Sequence, residues 1–465
     1  MNKHKVFSGV LMNPQKLTEY QSGSVRELFS LAWPLMISIM SGNLMFFTDR
    51  WILSMYSLHS MNAIIVVNSI ISIFQFAPLA ITSISEVFVG QYNGAGRYKE
   101  IGRPVWQMLW LSAGLIIIYV PGAFIGAEYI SETFRAEGRP YFIWCMAFAY
   151  FMPMIAALSG FYAGRGEVKI LTISAVISNL VNAGLSAALI FGVGFIPSMG
   201  TKGAAIGTVT AQFLNVAILF SIFLKRSFRK KYGTLNFHFD KKLFVSCIKI
   251  GLPSGLSHTV EFVSWSIIVN FTAALGVAYV TVNGLSVSFF VLFIFLVEGL
   301  QKAVTAICSN LIGASQIHRV KEVFRSALKF HSITAIVAFV PLVLFSEHLA
   351  AFFVRDEAIL STYMTSMKIS LFFVWLFLIL DGANWIMAGI LTAAGDTRFI
   401  LKVNVFNIVF FSFLPTYYFV VVKKLPPETI WAIGAPYALA GICVFFWRYK
   451  SGRWKKKTIE TGKTL

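Results

Sequence analysis

Residues 28–56 read LFSLAWPLMISIMSGNLMFFTDRWILSMY, 29 residues in which only Asp49 and Arg50 carry charge. A helix needs about 20 apolar residues to cross roughly 30 Å of hydrocarbon. This run is long enough to span a bilayer, and it does not stand alone. Working outward, similar runs recur at 61–89, 104–127, 140–163, 168–194, 202–224, 244–271, 279–308, 328–350, 361–391, 399–422 and 429–449, twelve in all. The strict apolar–polar alternation of membrane β-strands is absent. The chain of 465 residues is 57% hydrophobic and 13% charged, about half the charged share of a soluble domain. These features predict an all-α integral membrane protein with twelve transmembrane helices.

The net charge of +19 raises the possibility of a nucleic-acid partner, but its distribution points to a membrane. With twelve spans, 30 of the 39 Lys and Arg residues fall on the side that holds both termini, and 7 fall on the other. This bias fits the positive-inside rule and predicts cytoplasmic termini. The expected location is a bacterial inner or plasma membrane. The basic tail, with Arg453, Lys455, Lys456 and Lys457, suits a surface of anionic lipid. No nucleic acid and no obligate protein partner are expected. Residues 1–27 lack the short apolar core and cleavage site of a signal peptide. The four cysteines show no metal spacing and read as small packing residues without a disulfide.

Five acids lie inside the apolar runs: Asp49, Glu86, Glu261, Glu298 and Asp381. A charge at the bilayer centre costs about 2.5–3.5 kcal/mol even on the lenient insertion scale. Facing lipid as ions, five would together cost roughly 12–17 kcal/mol. They are therefore expected to face a protein interior or a wet cavity, where such residues mark ion and substrate pathways.

The two halves resemble each other. Trp33-Pro34 and Leu252-Pro253 open the first and seventh runs, and Gly94-Ala95 and Gly313-Ala314 follow the second and eighth, both pairs 219 residues apart. Gly166-Glu167 and Gly395-Asp396 match at a separation of 229. The glycines read as turn formers at helix ends. Six spans return the chain to its starting side, so the repeats are parallel and a central cavity is expected between them. The predicted organisation is a tail (1–27), a six-helix lobe (28–224), a basic linker (225–243), a second six-helix lobe (244–449) and a basic tail (450–465). The linker is the expected hinge.

At these residues the chain resembles the multidrug and toxic compound extrusion (MATE) transporters. The resemblance is carried by Pro34 with Asp49, VGQYNGAG at 89–96, GRGEVK at 164–169, NLVNAGL at 179–185 and GAAIGT at 203–208. In the second half it is carried by GLP at 251–253 with Glu261, IGA at 312–314, and Asp381 followed by GILTAAGDTR at 389–398. It implies two six-helix lobes exporting amphipathic, mostly cationic compounds in exchange for H⁺ or Na⁺, with no further cofactor. Asp49 matches the family's first-span acid, and Asn182 and Thr208 match its partners. Ser186 stands where relatives carry another acid, which weakens a Na⁺ site there because hard cations favour carboxylate oxygen. Glu261 and Asp381 match a C-terminal-lobe cation site, so weight shifts to them as the coupling pair and as the place for Na⁺ if that ion is used.

Around this pair, Asn384 lies three residues after Asp381 and shares its helical face. Trp385 and Met387 offer aromatic and apolar surface for a cation. His258 lies three residues before Glu261 and reads as a core or cavity-lining histidine, since no further metal ligands follow at helical spacing. Glu298 and Lys302, four apart, read as a structural ion pair. Glu86, near Arg97 and Lys99, stays a secondary candidate to which the resemblance carries no role. The rival reading is a flippase or exporter of a lipid-linked precursor or polysaccharide, which would favour a cationic cavity. An enzyme is not expected, because no nucleophile–base constellation is evident.

Overall fold

A computed structural model describes residues 17–194, 197–354 and 356–456. Residues 1–16 of the expected tail, and the basic tail from Lys457 onward, lie outside the described residues. Among the described residues eleven helices are long and apolar enough to cross a membrane. They are α1 Val25–Tyr56, α2 Leu58–Gly94, α3 Tyr98–Ala127, α4 Glu132–Ala163, α5 Val168–Phe191, α6 Gly200–Phe223, α8 Val277–Gly313, α9 Ile317–Leu344, α10 Glu357–Ala393, α11 Thr397–Val422 and α12 Thr429–Ser451. The twelfth, α7, is the 33-residue helix Lys241–Ala273. It occupies the seventh predicted run and is the most polar of the set, because Ser254, Ser257, His258 and Glu261 line a cavity rather than face lipid. The largest departure from the predicted spans is α9. It begins about three turns early, at Ile317 rather than at 328, since the charges of VKEVFRSALKF obscure its start, and it stops before a separate helix, Ser346–Phe353. Among the described residues there are twelve membrane helices in two parallel repeats.

Helix packing repeats with the sequence. Helix α1 packs on α5 as α7 packs on α11, and α4 packs on α6 as α10 packs on α12. Across the seam, α1 meets α8 and α2 meets α7. The closest crossing is between α2 and α8 at the end that carries the linker. There a Cβ on Gly94 would strike the Asn310 carbonyl, and one on Gly313 would strike the Gln91 carbonyl. Gln91 Nε2 donates to the Ala393 carbonyl at 2.8 Å, and Asn310 Nδ2 donates to the Gly164 carbonyl at 2.7 Å. These contacts are two-fold copies of one another: Gln91 and Asn310 are 219 apart, and Gly164 and Ala393 are 229 apart. Asn93 Nδ2 adds a bond to Asn310 Oδ1 at 2.7 Å.

The structure corrects the role given to two glycines. Gly94 and Gly313 are helical and serve close approach. The turns are made two residues later, by Gly96 at φ +72° and by Ser315 at φ +60°, the left-handed region that favours glycine.

The N-terminal segment crosses the same seam. Leu17 lies against Gly166 of the first repeat. Arg319 donates to the Ser22 carbonyl at 2.6 Å, and Ser326 donates to the Gly23 carbonyl at 2.7 Å, both from the second repeat. All four cysteines are free.

The basic linker is fastened to α3. Trp106 Nε1 donates to Thr234 O at 2.8 Å, Trp110 Nε1 to Phe237 O at 2.9 Å, and Gln107 Nε2 to His238 O at 3.0 Å. Arg103 pairs with Asp240 at 2.5 Å, and Asp240 Oδ1 caps α7 by accepting from Lys242 and Leu243 N–H. The Leu243 amide, joined by the Arg103 guanidinium, holds the Asp240 carboxyl below its ordinary range. A depressed carboxylate pKa contributes stability above the unfolded value of about 3.9, and that contribution is lost as pH falls through the folded value. Asp240→Asn is therefore expected to lower the thermal midpoint at neutral pH, with the two proteins' curves converging below about pH 4. For a pair this exposed the difference is about 1 kcal/mol or less. A gap that persists unchanged at pH 3 would contradict the assignment.

Candidate functional site

Two polar clusters lie within the helices, one in each repeat. In the first, Asp49 of α1 meets α5 and α6. Thr208 Oγ1 donates to Asp49 Oδ2 at 2.8 Å. Asn182 Nδ2 lies 3.2 Å from Ser186 Oγ and 3.5 Å from Thr208 Oγ1. All four residues are buried. Asp49 Oδ1 and Asn182 Oδ1 accept no hydrogen bond, a costly state for buried acceptors. The expected partners Asn182 and Thr208 are thus brought to Asp49, and Ser186 fills the place of the second acid. The cluster holds one carboxylate and three neutral oxygen-bearing side chains.

The second cluster surrounds a cavity of about 60 Å³ between α7, α8, α10, α11 and α12. A water needs roughly 10–15 Å³ of such space, so the cavity admits a small ion with several waters. Glu261 and Asp381 both line it, with His258, Asn384 and Trp385. Asp381 Oδ2 accepts from Trp385 Nε1 at 2.7 Å, and Oδ1 accepts from Asn384 Nδ2 at 3.3 Å. Asn384 Nδ2 also donates to the Ala438 carbonyl at 3.0 Å. That leaves Asn384 Oδ1, together with Asn407 Oδ1, as buried acceptors without partners. Two carboxylates and two free amide oxygens form an all-oxygen donor set suited to a proton or a hard monovalent cation. Among the described residues no group of three or more His, Cys, Asp or Glu is placed to hold a metal ion.

Several assignments change. Trp385, expected as aromatic surface for a drug, lines the cavity and also donates Nε1–H to Asp381. Met387 is buried in the core at 2% exposure and is not available to a ligand. Glu298 and Lys302 make no direct ion pair among the described residues. Arg97, expected near Glu86, pairs instead with Glu100 at 2.5 Å. His258 lines the second cavity, its ring 6.4 Å from that of Trp385.

The cavity residues missed in the sequence are Asn404 and Asn407 of α11, Ser257, Gln301 and Tyr437. A signal for the two asparagines was present. NLVN at 179–182 and NVFN at 404–407 repeat one pattern in the fifth and eleventh helices. Both first asparagines reach across to the preceding lobe-leading helix, Asn179 to Ser41 and Asn404 to Ser257. Helix α11 widens into a π turn at Ile408, directly after Asn407, a distortion often found at functional positions.

A twelve-helix membrane protein with parallel repeats, a closed seam at one end and a carboxylate-lined cavity in the membrane has the build of a transporter. The MatE family model matches residues 34–188 and 253–418. The chain belongs to that family, the MATE transporters. It is 23% identical over 410 residues to the probable multidrug resistance protein YoeA of Bacillus subtilis, covering 82% of this chain and 83% of that one. It is 23% identical to the probable multidrug resistance protein NorM of Thermotoga maritima, covering 94% of each. A solved multidrug resistance MATE family transporter, in an outward-facing conformation, superposes with a TM-score of 0.83 at 17% identity over 96% of this chain and 98% of that one.

Proposed function

We propose that this chain exports amphipathic, cationic small molecules by antiport with H⁺ or Na⁺ through alternating access, with its basic end in the cytoplasm of a bacterial plasma membrane. The supporting observation is the shared cavity of Glu261 and Asp381, with two unpartnered amide oxygens beside them. Uptake of a proton or Na⁺ there neutralises the site and removes its attraction for a cationic cargo. Coupling requires that the ion bind the two conformations with different affinity. Closure at the basic end corresponds to the outward-open member of that cycle. An acid-lined cavity disfavours the pyrophosphate of a lipid-linked precursor, the cargo of the rival reading.

The test is efflux from proteoliposomes with separately imposed pH and Na⁺ gradients. Acceleration by one of them supports the proposal, and no response to either contradicts it. The N-terminal cluster serves a smaller part in this reading. Asp49→Asn keeps the shape of the Thr208 contact, and gradient-driven efflux is expected to fall no more than about threefold, under roughly 0.7 kcal/mol of barrier. A loss as deep as that of the Glu261/Asp381 variants would move the coupling site to the first lobe.

A further inference from the structure

The linker between the repeats is seated on the first of them. Its short helix Arg226–Tyr232 is clamped by Arg165, just after α4. The Arg165 guanidinium carbon lies 3.9 Å from the Phe161 ring centre, 4.6 Å from that of Phe228 and 4.2 Å from that of Tyr232. Phe228 and Tyr232 share the inner face, so Arg226 and Lys230 fall on the opposite one. The chain then dips along α3 and returns. A Cβ on Gly102 would strike the Gly233 carbonyl, Trp106 donates to Thr234, Trp110 to Phe237 and Gln107 to His238, and Arg103 pairs with Asp240. The turning point is therefore Phe237, at the level of Trp110.

The depth of that point follows from α3. Counting about 20 residues back from its far end at Ala127, enough to cross the hydrocarbon, places the near boundary at Met108. Trp106 and Trp110 flank it, as interfacial tryptophans do. Beyond it α3 exposes Ile117, Ile118, Phe124 and Ile125, an apolar face for lipid. The tip of the dip is apolar too. Leu235, Phe237 and Phe239 alternate along it and are 50%, 58% and 48% exposed. Exposed apolar clusters of this kind mark interaction sites. Cations stand on both flanks: Lys225, Arg226, Arg229 and Lys230 before the tip, Lys241 and Lys242 after it. All six are exposed, and among the described residues none makes an ion pair. Asp240, the acid of this segment, is already held by Arg103.

We propose that residues 225–242 are a binding surface for anionic phospholipid in the leaflet at the linker end. Leu235, Phe237 and Phe239 enter the boundary between headgroups and acyl chains, and the flanking cations meet lipid phosphates. An apolar tip between two basic flanks matches an anionic leaflet, which is apolar inside and negative at its surface. A soluble protein partner is disfavoured, because the tip sits at the hydrocarbon boundary. The surface also lies at the joint of the two repeats. Arg165 fixes its start to the first repeat, and Asp240 caps α7, the opening helix of the second. Bound lipid thus touches the connection between the lobes. The inference stands independently of the cargo and of the coupling ion.

The experiment places a fluorophore at the tip of the full chain through Asn236→Cys. Cys443→Ser removes the exposed cysteine and leaves the three buried ones in place. The protein is held in phosphatidylcholine nanodiscs containing a small fraction of nitroxide-labelled lipid, either phosphatidylglycerol or phosphatidylcholine. Monodisperse elution and the thermal midpoint serve as folding controls. The labelled phosphatidylglycerol is expected to quench at least about threefold more than labelled phosphatidylcholine at the same content, because the cations enrich it around the tip. High salt is expected to shrink that preference. Arg226→Gln/Lys230→Gln/Lys241→Gln/Lys242→Gln, which alters only exposed side chains, is expected to bring the ratio to about one while quenching by the neutral lipid persists. Equal quenching by both lipids in the unsubstituted linker overturns the proposal. So does a tip that neither lipid quenches, since it then lies in water and is open to a protein partner. A preference that survives both high salt and the four substitutions overturns it as well.

Discussion

Glu261→Gln and Asp381→Asn combined are expected to reduce gradient-driven efflux at least about 100-fold, equivalent to roughly 2.7 kcal/mol of lost coupling. Both carboxylates line one cavity with the free oxygens of Asn384 and Asn407. Neutral amides keep the volume and can still accept from Trp385 Nε1 and donate in turn. What they lose is the ability to take up a proton or to balance Na⁺, and without a difference in ion affinity between states a gradient does no work. Each single variant leaves one carboxylate in the cavity, so its loss is expected to be smaller. The effect has to appear as lost response to the imposed gradient, with the thermal midpoint within a few degrees of wild type. Full gradient-driven transport in the double variant would sink the assignment.

Gly94→Val is expected to act on the conformational equilibrium instead. A side chain at this position meets the Asn310 carbonyl, and no rotamer change can move a backbone oxygen. Overpacking of this kind costs about 1–3 kcal/mol. The cost falls only on the state in which α2 and α8 touch, so the population shifts about 5- to 150-fold toward the form open at the basic end. A cysteine placed at Gln91 reports the change. In the wild-type background it is sealed in the seam, whereas with Gly94→Val it is expected to react with a membrane-impermeant maleimide supplied from the cytoplasmic side. Gly313→Val, the symmetry mate, is expected to behave alike. Inaccessible cysteine in both variants would show that the seam is not the moving part.

The helices were legible because apolar length alone marks a membrane span, and even the polar α7 is long enough to be found. Asp49, Asn182 and Thr208 could be grouped in advance because family motifs fall on those residues, and the structure brings them together with Ser186. Asn404 and Asn407 carried a visible signal in the repeated NxxN, but an asparagine in a helix says little until its neighbours across the cavity are known. Lys302 was misread for a related reason. Spacing within one helix offers Glu298 as its partner, but helical spacing fixes only which side chains share a face and not whether their charged ends come within ion-pair distance. Gly166 and Gly395 make turns as expected, whereas the turns assigned to Gly94 and Gly313 fall two residues later, at Gly96 and Ser315, because a helical glycine at a crossing and a left-handed one in a turn look the same in sequence.

The chain's two ends are not equivalent points of attachment. Residues 17–24 thread across the seam and hold both repeats, whereas Trp454 stacks on Tyr449 of α12 and donates Nε1–H to its carbonyl. A fluorescent protein or purification handle fused ahead of Leu17 pulls on a segment that touches both repeats. The same cargo fused just beyond Trp454 pulls on a residue seated beside Tyr449 of α12.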